Sequence, residues 1–347
     1  MSWEKVIDRY GSLIEEKISE YFSEVSSKAY LYHPFIADVY ATLKDFVFRK
    51  GKRLASCSTL LTYSGYTNMI DDQILRVSVG IELYRHCILI HDDLIDRDDF
   101  RRGEKTVHKI FSERHDERFG EGIAVFLGDI VYALAVEAIM SSGFKEDRLT
   151  RVLHIISKGY REVNESQILD LLFESKDVDM DEWYFMASKR AASLFKVTML
   201  VGAILGGAPE RDLRILEEAA TNIGYAFDIQ DDIIDTYASA DQYGRPACSD
   251  LMLGKKPLHV VCALGSKSRE KSEALKRLLG KKFTAEEVEL ARLIIKECGG
   301  LETAKERSNM HAEKAKKLIA KTSLNEETKK FFGSFINYIE ESLEWYK

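Results

Sequence analysis

The chain has 347 residues, of which 45% are apolar and 31% charged. That is the balance of a soluble globular protein with a sizeable core, in one large domain or two ordinary ones. Its formal net charge of −7, with basic residues scattered apart from a small cluster at Arg49–Arg53, argues against a nucleic-acid partner. An anionic ligand would therefore be held by a few local cations or by metal ions.

In chain order, Met1-Ser2-Trp3-Glu4-Lys5 lacks the apolar stretch of a signal peptide. Proline is then absent between Pro34 and Pro209, which favours long helices. Leu75, Val77, Val79, Ile81 and Leu83 alternate as a half-buried strand would. The apolar residues continue through Tyr84, Cys87, Ile88 and Ile90 on every side, so the segment is expected to be a helix buried within a bundle. Polar punctuation near 67–73, 98–105, 141–147 and 174–181 suits connections between helices. Val197–Ala208, the longest weakly polar run, is too short and glycine-rich to span a bilayer, so no transmembrane segment is expected.

Leu213, Leu216, Ala220, Ile223, Phe227 and Ile234 recur at helical steps, as do Phe331, Phe332, Phe335, Ile336, Ile339 and Leu343 near the end. Between them, Ala238–Lys256 reads as a functional loop. The five cysteines, Cys57, Cys87, Cys248, Cys262 and Cys298, form no Cys-x-x-Cys pair. This argues against a disulfide framework or a zinc site and for a reducing, cytoplasmic setting. The expected fold is all-α, a single domain over residues 1–347 with roughly ten or more helices.

Two clusters carry chemistry. The first is His91-Asp92-Asp93-Leu94-Ile95-Asp96, followed by Arg101 and Arg102. On a helix Asp92 and Asp96 lie one turn apart on one side with Asp93 beside them. Like charges at that spacing repel unless a cation sits between them. Oxygen ligands that leave positions open suit magnesium, and the two arginines supply forked donors for phosphate. The second cluster repeats the geometry with Asp231, Asp232 and Asp235. A solvated acidic surface is the bland alternative. The apolar flanks of both clusters oppose it, because unpaired carboxylates facing inward are costly.

With these motifs the sequence resembles the trans-isoprenyl diphosphate synthases, the farnesyl and geranylgeranyl diphosphate synthase family. The clusters resemble that family's two aspartate-rich motifs, the first in its short form. Gly51-Lys52-Arg53, Thr106-Val107-His108, Leu127-Gly128-Asp129, Gln167 with Asp170, and Gly254-Lys255 match in family order between about residues 30 and 260. The resemblance implies a helical bundle of the class I isoprenoid synthase type with a central active-site cavity, and a homodimer. It also implies three magnesium ions held by Asp92, Asp93, Asp96, Asp231 and Asp235, with Asp232 completing the catalytic set. Isopentenyl diphosphate and an allylic prenyl diphosphate would be the substrates. Lys52, Arg53, Arg101, Arg102 and Lys255 would bind diphosphate.

Several positions depart from the family. Where it reads Lys-Arg-Leu-Arg-Pro, this chain has Lys52-Arg53-Leu54-Ala55-Ser56, so an arginine for isopentenyl diphosphate is missing. A family histidine six residues before His91 is Arg85, which is expected to restore the lost charge. The family's Lys-Thr pair on the allylic side is Arg190-Ala191, another family lysine is Arg245, and a glutamine is Asp228. Asp228 is expected to pair with Arg190 or to join the metal shell.

In the resembled family Ile88, Cys87 and Tyr84 would line the path of the growing chain. Cys87 and Ile88 are too small to stop it at fifteen carbons. Tyr84, one turn or about 5.4 Å deeper, could be a floor that sets a twenty-carbon product; if it packs sideways, twenty-five carbons follow. His91 is as readily a packed core histidine as a group near the cluster, and His33, His154 and His259 read as structural or exposed. A class I terpene cyclase and a non-catalytic subunit of a heteromeric synthase are the competing classes. The intact second triad and Lys52 oppose the former, and retention of both triads opposes the latter.

Overall fold

The computed structural model describes residues 3–49, 51–239 and 247–342. Among them are fifteen helices and one short hairpin. The first helices are α1 (Trp3–Tyr32), α2 (Pro34–Phe48), α3 (Leu54–Thr67) and α4 (Asp72–Ile95). Then come β1 (Phe100–Arg101), β2 (Glu104–Lys105), α5 (Val107–Arg114), α6 (Glu117–Met140), α7 (Glu146–Ser175), α8 (Met180–Gly206) and α9 (Glu210–Tyr237). The rest are α10 (Ser249–Leu253), α11 (Leu258–Leu264), α12 (Arg269–Leu278), α13 (Ala285–Glu297), α14 (Gly300–Ala320) and α15 (Glu326–Ser342). The all-α expectation holds. The chain divides into two compact units. Unit 1 comprises Met1–His154, Thr198–Ala208 and Leu324–Thr328; unit 2 comprises Ile155–Val197, Pro209–Ser323 and Lys329–Lys347.

Within unit 1, α4 packs against α6, α3 and α1. Surrounded on several sides, it buries Val77, Val79, Ile81 and Leu83 as well as Tyr84, Cys87 and Ile90, which explains the strand-like alternation on a true helix. The helix starts cleanly because the Asp71 carboxylate accepts from the Ile74 N–H at 2.9 Å. Gly80 lets α6 come close: a Cβ there would lie 2.7 Å from the Ala135 carbonyl oxygen. The expected connection at 98–105 is an antiparallel hairpin, Phe100 opposite Lys105 and Arg101 opposite Glu104. Its two turn residues, Arg102 (φ 56°) and Gly103 (φ 83°), both have positive φ, the signature of a tight hairpin turn.

Glu117–Met140 is long and apolar enough to cross a membrane by length and composition, with a mean hydropathy of 2.0 over its best window. Its buried side packs on α4 and α5, so the apolar character reads as that of a core helix.

Unit 2 is built around α9 and α14, which pack along each other. Trp183, Ile229, Ile233, Leu258, Leu275, Ile295 and Leu301 form its core. The region expected to be a loop, Ala238–Lys256, contains the short helix α10; residues 240–246, including Arg245, lie outside the described residues. Leu343 likewise lies outside them.

Candidate functional site

In unit 1 the first triad closes α4. Asp92 and Asp93 occupy its last turn and Asp96 is its C-cap, with the Asp96 N–H donating to the Asp92 carbonyl at 2.9 Å. Three carboxylates at the negative end of a helix dipole are unfavourable without a cation. The hairpin returns one. Arg101 donates through Nε to Asp93 Oδ1, and its Nη2 lies 3.2 Å from Asp92 Oδ2 and 3.9 Å from Asp98 Oδ2. Asp93 is only 1% exposed. Burial pushes its carboxyl up to about 7 despite Arg101, and Asp92 and Asp98 add to the rise.

Arg101, expected to reach for phosphate, thus serves here as counter-ion to the first triad. Arg102, in the left-handed turn of the hairpin, points elsewhere. Its Nη1 donates to the Arg49 carbonyl at 3.3 Å, and its guanidinium rests where a Gly51 Cβ would sit. Desolvation against that loop lowers its pKa to about 10. Glu82 opposes the shift, while the charges of Arg53, Arg101 and Arg85 reinforce it. Arg85 therefore belongs to the same cationic patch, while Ala55 is buried in α3. Lys52 is exposed, with its ammonium 5.0 Å from the centre of the Trp3 ring. Arg53 turns inward: it is buried, with Nη1 donating to the Val47 carbonyl at 2.7 Å and lying 3.3 Å from Glu82.

His91 lies against Gly128 of α6, with Nε2 3.1 Å from the Val125 carbonyl oxygen; an alanine Cβ at 128 would fall 2.1 Å from that nitrogen. Tyr84 and Cys87 are buried, with the Cys87 thiol donating to the Tyr84 carbonyl at 3.0 Å; Ile88 is half-buried.

In unit 2 the second triad lies in the last two turns of α9. Asp231 is exposed, Asp232 half-buried and Asp235 only 1% exposed. Asp235 accepts from Ser249 Oγ and, at 3.2 Å, from the Asp250 N–H, tying α10 to α9. Arg190 on α8 is gripped by Asp228, whose Oδ2 accepts Nη2 at 2.7 Å and Nε at 3.1 Å. Asp170 Oδ1 accepts Nη1 at 3.3 Å, and Asp232 Oδ2 is 3.7 Å away. Burial alone would lower the arginine's pKa, but these three carboxylates raise it well above its usual value. Asp228 therefore takes the first of the two partners expected for it. Lys255 lies 3.7 Å from Asp250 and 3.9 Å from Asp170. Burial raises Asp170, and raises Asp232 strongly, with Asp228 adding to the latter.

Each triad has a buried carboxylate oxygen that accepts no hydrogen bond, Asp93 Oδ2 and Asp232 Oδ2. Among the described residues no three His, Cys, Asp or Glu side chains form a closed metal-binding group. The unsatisfied hard oxygen donors suit magnesium, which binds through one or two carboxylates and is completed by water and phosphate oxygens. Sequence reasoning missed Ser249 and Asp250, although it marked their loop, and missed Glu82, Ser56 and His86 beneath the cationic patch. His33 caps α2, accepting from the Phe35 N–H, and His259 is buried with Nε2 2.8 Å from Thr236 Oγ1; both are structural.

Residues 37–295 match the sequence pattern of the polyprenyl synthetase family. The chain is 34% identical over 250 residues to a short chain isoprenyl diphosphate synthase of Methanocaldococcus jannaschii, covering 72% of this chain and 73% of that one. It is 32% identical over 284 residues to a geranylgeranyl diphosphate synthase of Methanosarcina mazei, covering 81% and 83%. A geranylgeranyl pyrophosphate synthase of Corynebacterium glutamicum, crystallised with isoprenyl diphosphate and magnesium, shares the fold. It has a TM-score of 0.91 and 22% identity over 99% of this chain and 100% of that one.

Proposed function

The chain belongs to the polyprenyl synthetase family, and on that premise we propose how its residues divide the work of a chain-elongating prenyltransferase. The protein condenses isopentenyl diphosphate with allylic diphosphates to give a linear all-trans prenyl diphosphate, and geranylgeranyl diphosphate, with twenty carbons, is the product we assign. The observation that carries the reading is the pair of aspartate triads, each at the end of a long helix and each with an unsatisfied buried carboxylate oxygen.

Asp92, Asp93, Asp96, Asp231 and Asp235 would hold magnesium for the allylic diphosphate, with Asp232 completing the catalytic set. We assign three ions per catalytic centre, their charge shared between the carboxylates and the diphosphate. Bound there, magnesium would supply the positive charge that makes the diphosphate a good leaving group. Arg190, Lys255 and Arg245 orient the same diphosphate. Lys52, Arg85 and Arg102 hold isopentenyl diphosphate so that its double bond can attack the allylic cation; a proton then leaves to the released pyrophosphate. No side-chain nucleophile takes part, so rate comes from positioning and electrostatic preorganisation. We further propose that residues 1–347 act as one catalytic domain, that the enzyme is a homodimer, and that it is cytoplasmic.

Arg85 carries the charge that Ala55 lacks. Its proximity to Arg102 supports this, and Arg85→Ala is expected to raise the KM for isopentenyl diphosphate sharply; an unchanged KM would refute it. Tyr84, buried one turn before Ile88, closes the product path, so Tyr84→Ala should lengthen the product. Unchanged length removes Tyr84 as the floor. Sizing of the dephosphorylated products from labelled isopentenyl diphosphate tests product length itself.

A further inference from the structure

Glu82 lies on α4, buried to 3% exposure within unit 1, and none of the chemistry above uses it. A buried carboxylate persists only where it is paired and hydrogen-bonded. Its Oε1 accepts from Ser56 Oγ at 2.6 Å and from the Ser56 N–H at 3.3 Å, and its Oε2 lies 3.3 Å from Arg53 Nη1. His86 Nδ1 is 3.7 Å from the same oxygen while bonding the Glu82 carbonyl oxygen at 2.7 Å. Glu82 therefore clamps α4 to the entry of α3.

That entry has an unusual shape. Arg53 is its N-cap, with a left-handed backbone (φ 45°) that side-chain-bearing residues seldom adopt. Such a conformation persists where its surroundings over-determine it. Here the Arg53 side chain is drawn inward by Glu82 and the Val47 carbonyl, and also pairs with Glu15 at 3.1 Å. With Arg53 turned in, Gly51 and Lys52 stand at the surface. Arg102 rests its guanidinium against Gly51 and donates to the Arg49 carbonyl. Arg49 in turn donates through Nη1 to the Lys105 carbonyl of the hairpin at 2.7 Å, so the two cationic segments are fastened together.

We propose that Glu82 is a positioning residue for isopentenyl diphosphate: through Arg53 and Ser56 it sets the Gly51–Arg53 segment on which Lys52 and Arg102 present their charges. It also supplies the negative charge that lets Arg53, Arg85 and Arg102 crowd together. The role rests on the assignment of Lys52 and Arg102 to that substrate.

The test is steady-state kinetics of Glu82→Gln on the full chain, varying each substrate separately. Glutamine keeps an acceptor for Ser56 but not the charge. The KM for isopentenyl diphosphate should rise about tenfold, the size of one lost charge-assisted hydrogen bond. The allylic KM and kcat should stay within about twofold. Replacing Arg53 by Met in the same variant should recover part of the loss, because both charges then leave together. If Glu82→Gln fails to fold, Ser56→Ala loosens the same clamp without stranding a charge and should raise only the isopentenyl KM, by about threefold. A lowered melting temperature with both KM values unchanged, in whichever variant folds, overturns the positioning role. Lys52→Ala and Arg102→Ala separate the two levels. If they raise the isopentenyl KM while Glu82→Gln does not, Glu82 alone is misassigned; if they leave it unchanged, the binding assignment falls and takes the positioning role with it.

Discussion

The two aspartate triads share a spacing and a place at the C-terminal end of a long helix, yet their surroundings differ. The first ends in a C-cap and meets its counter-ion, Arg101, from a two-residue-per-strand hairpin immediately downstream. The second is stitched into its unit: Asp235 is spent on Ser249 and the Asp250 N–H, and Asp232 shares Arg190 with Asp228 and Asp170. The ion pairs described for the first triad are local in sequence; those of the second draw on three further helices. The same five-residue pattern, assigned above to magnesium in both units, is thus a locally held clamp in one and is also tied into the framework in the other.

The sharpest way to break this comparison is to remove one carboxylate from each triad. Asp92→Ala and Asp231→Ala should each lower kcat/KM by about 10³-fold or more, as loss of charge stabilisation in a transition state does. A large loss in one and a small loss in the other would show that only one triad handles the diphosphate. Stability should separate the triads next. Asp235→Ala strands Ser249 and the Asp250 N–H and is expected to cost about 2–4 kcal/mol in urea denaturation, whereas Asp96→Ala, at a less buried C-cap, should cost about 1 kcal/mol or less. Equal costs would erase the distinction between clamp and framework.

Acid should reveal the framework too. Burial lowers His259, which holds Thr236 beside Asp235, from 6.5 to about 3. The unfolded chain therefore takes up this proton first. The stability this neutral imidazole contributes is complete above pH 6.5 and drains as pH falls towards 3, at about 1.4 kcal/mol per unit. His259→Asn should flatten the melting-temperature profile over that window, and an unaltered slope would locate the acid sensitivity elsewhere. The smallest effect concerns Arg190. Asp228→Asn weakens its grip and should raise the allylic KM about five- to tenfold with the isopentenyl KM unmoved; no change would make Asp228 a bystander.

Much of this was legible in the sequence because helical spacing is local. Asp92 with Asp96 and Asp231 with Asp235 fall on one helical face whatever the rest of the chain does, and the long proline-free stretch announced the helices. The Asp228–Arg190 pair could be anticipated from two departures of opposite charge. What the sequence hid depends on distance along the chain. The clamp of Glu82 on Arg53 and Ser56, and of Asp235 on Ser249, joins residues that no periodicity connects. The hairpin was hidden for another reason: its turn residue, Arg102, adopts a positive φ that favours glycine or asparagine, so only Gly103 hinted at it. The inward turn of Arg53 was invisible in a Gly-Lys-Arg run, where three neighbouring residues read alike as surface.

The most direct test is turnover of the purified chain with labelled isopentenyl diphosphate and an allylic starter, with and without magnesium. The account predicts a linear, mainly twenty-carbon diphosphate that forms with magnesium and vanishes when a chelator is added. Undiminished synthesis in the chelator, or a hydrocarbon released from the allylic diphosphate alone, would contradict it.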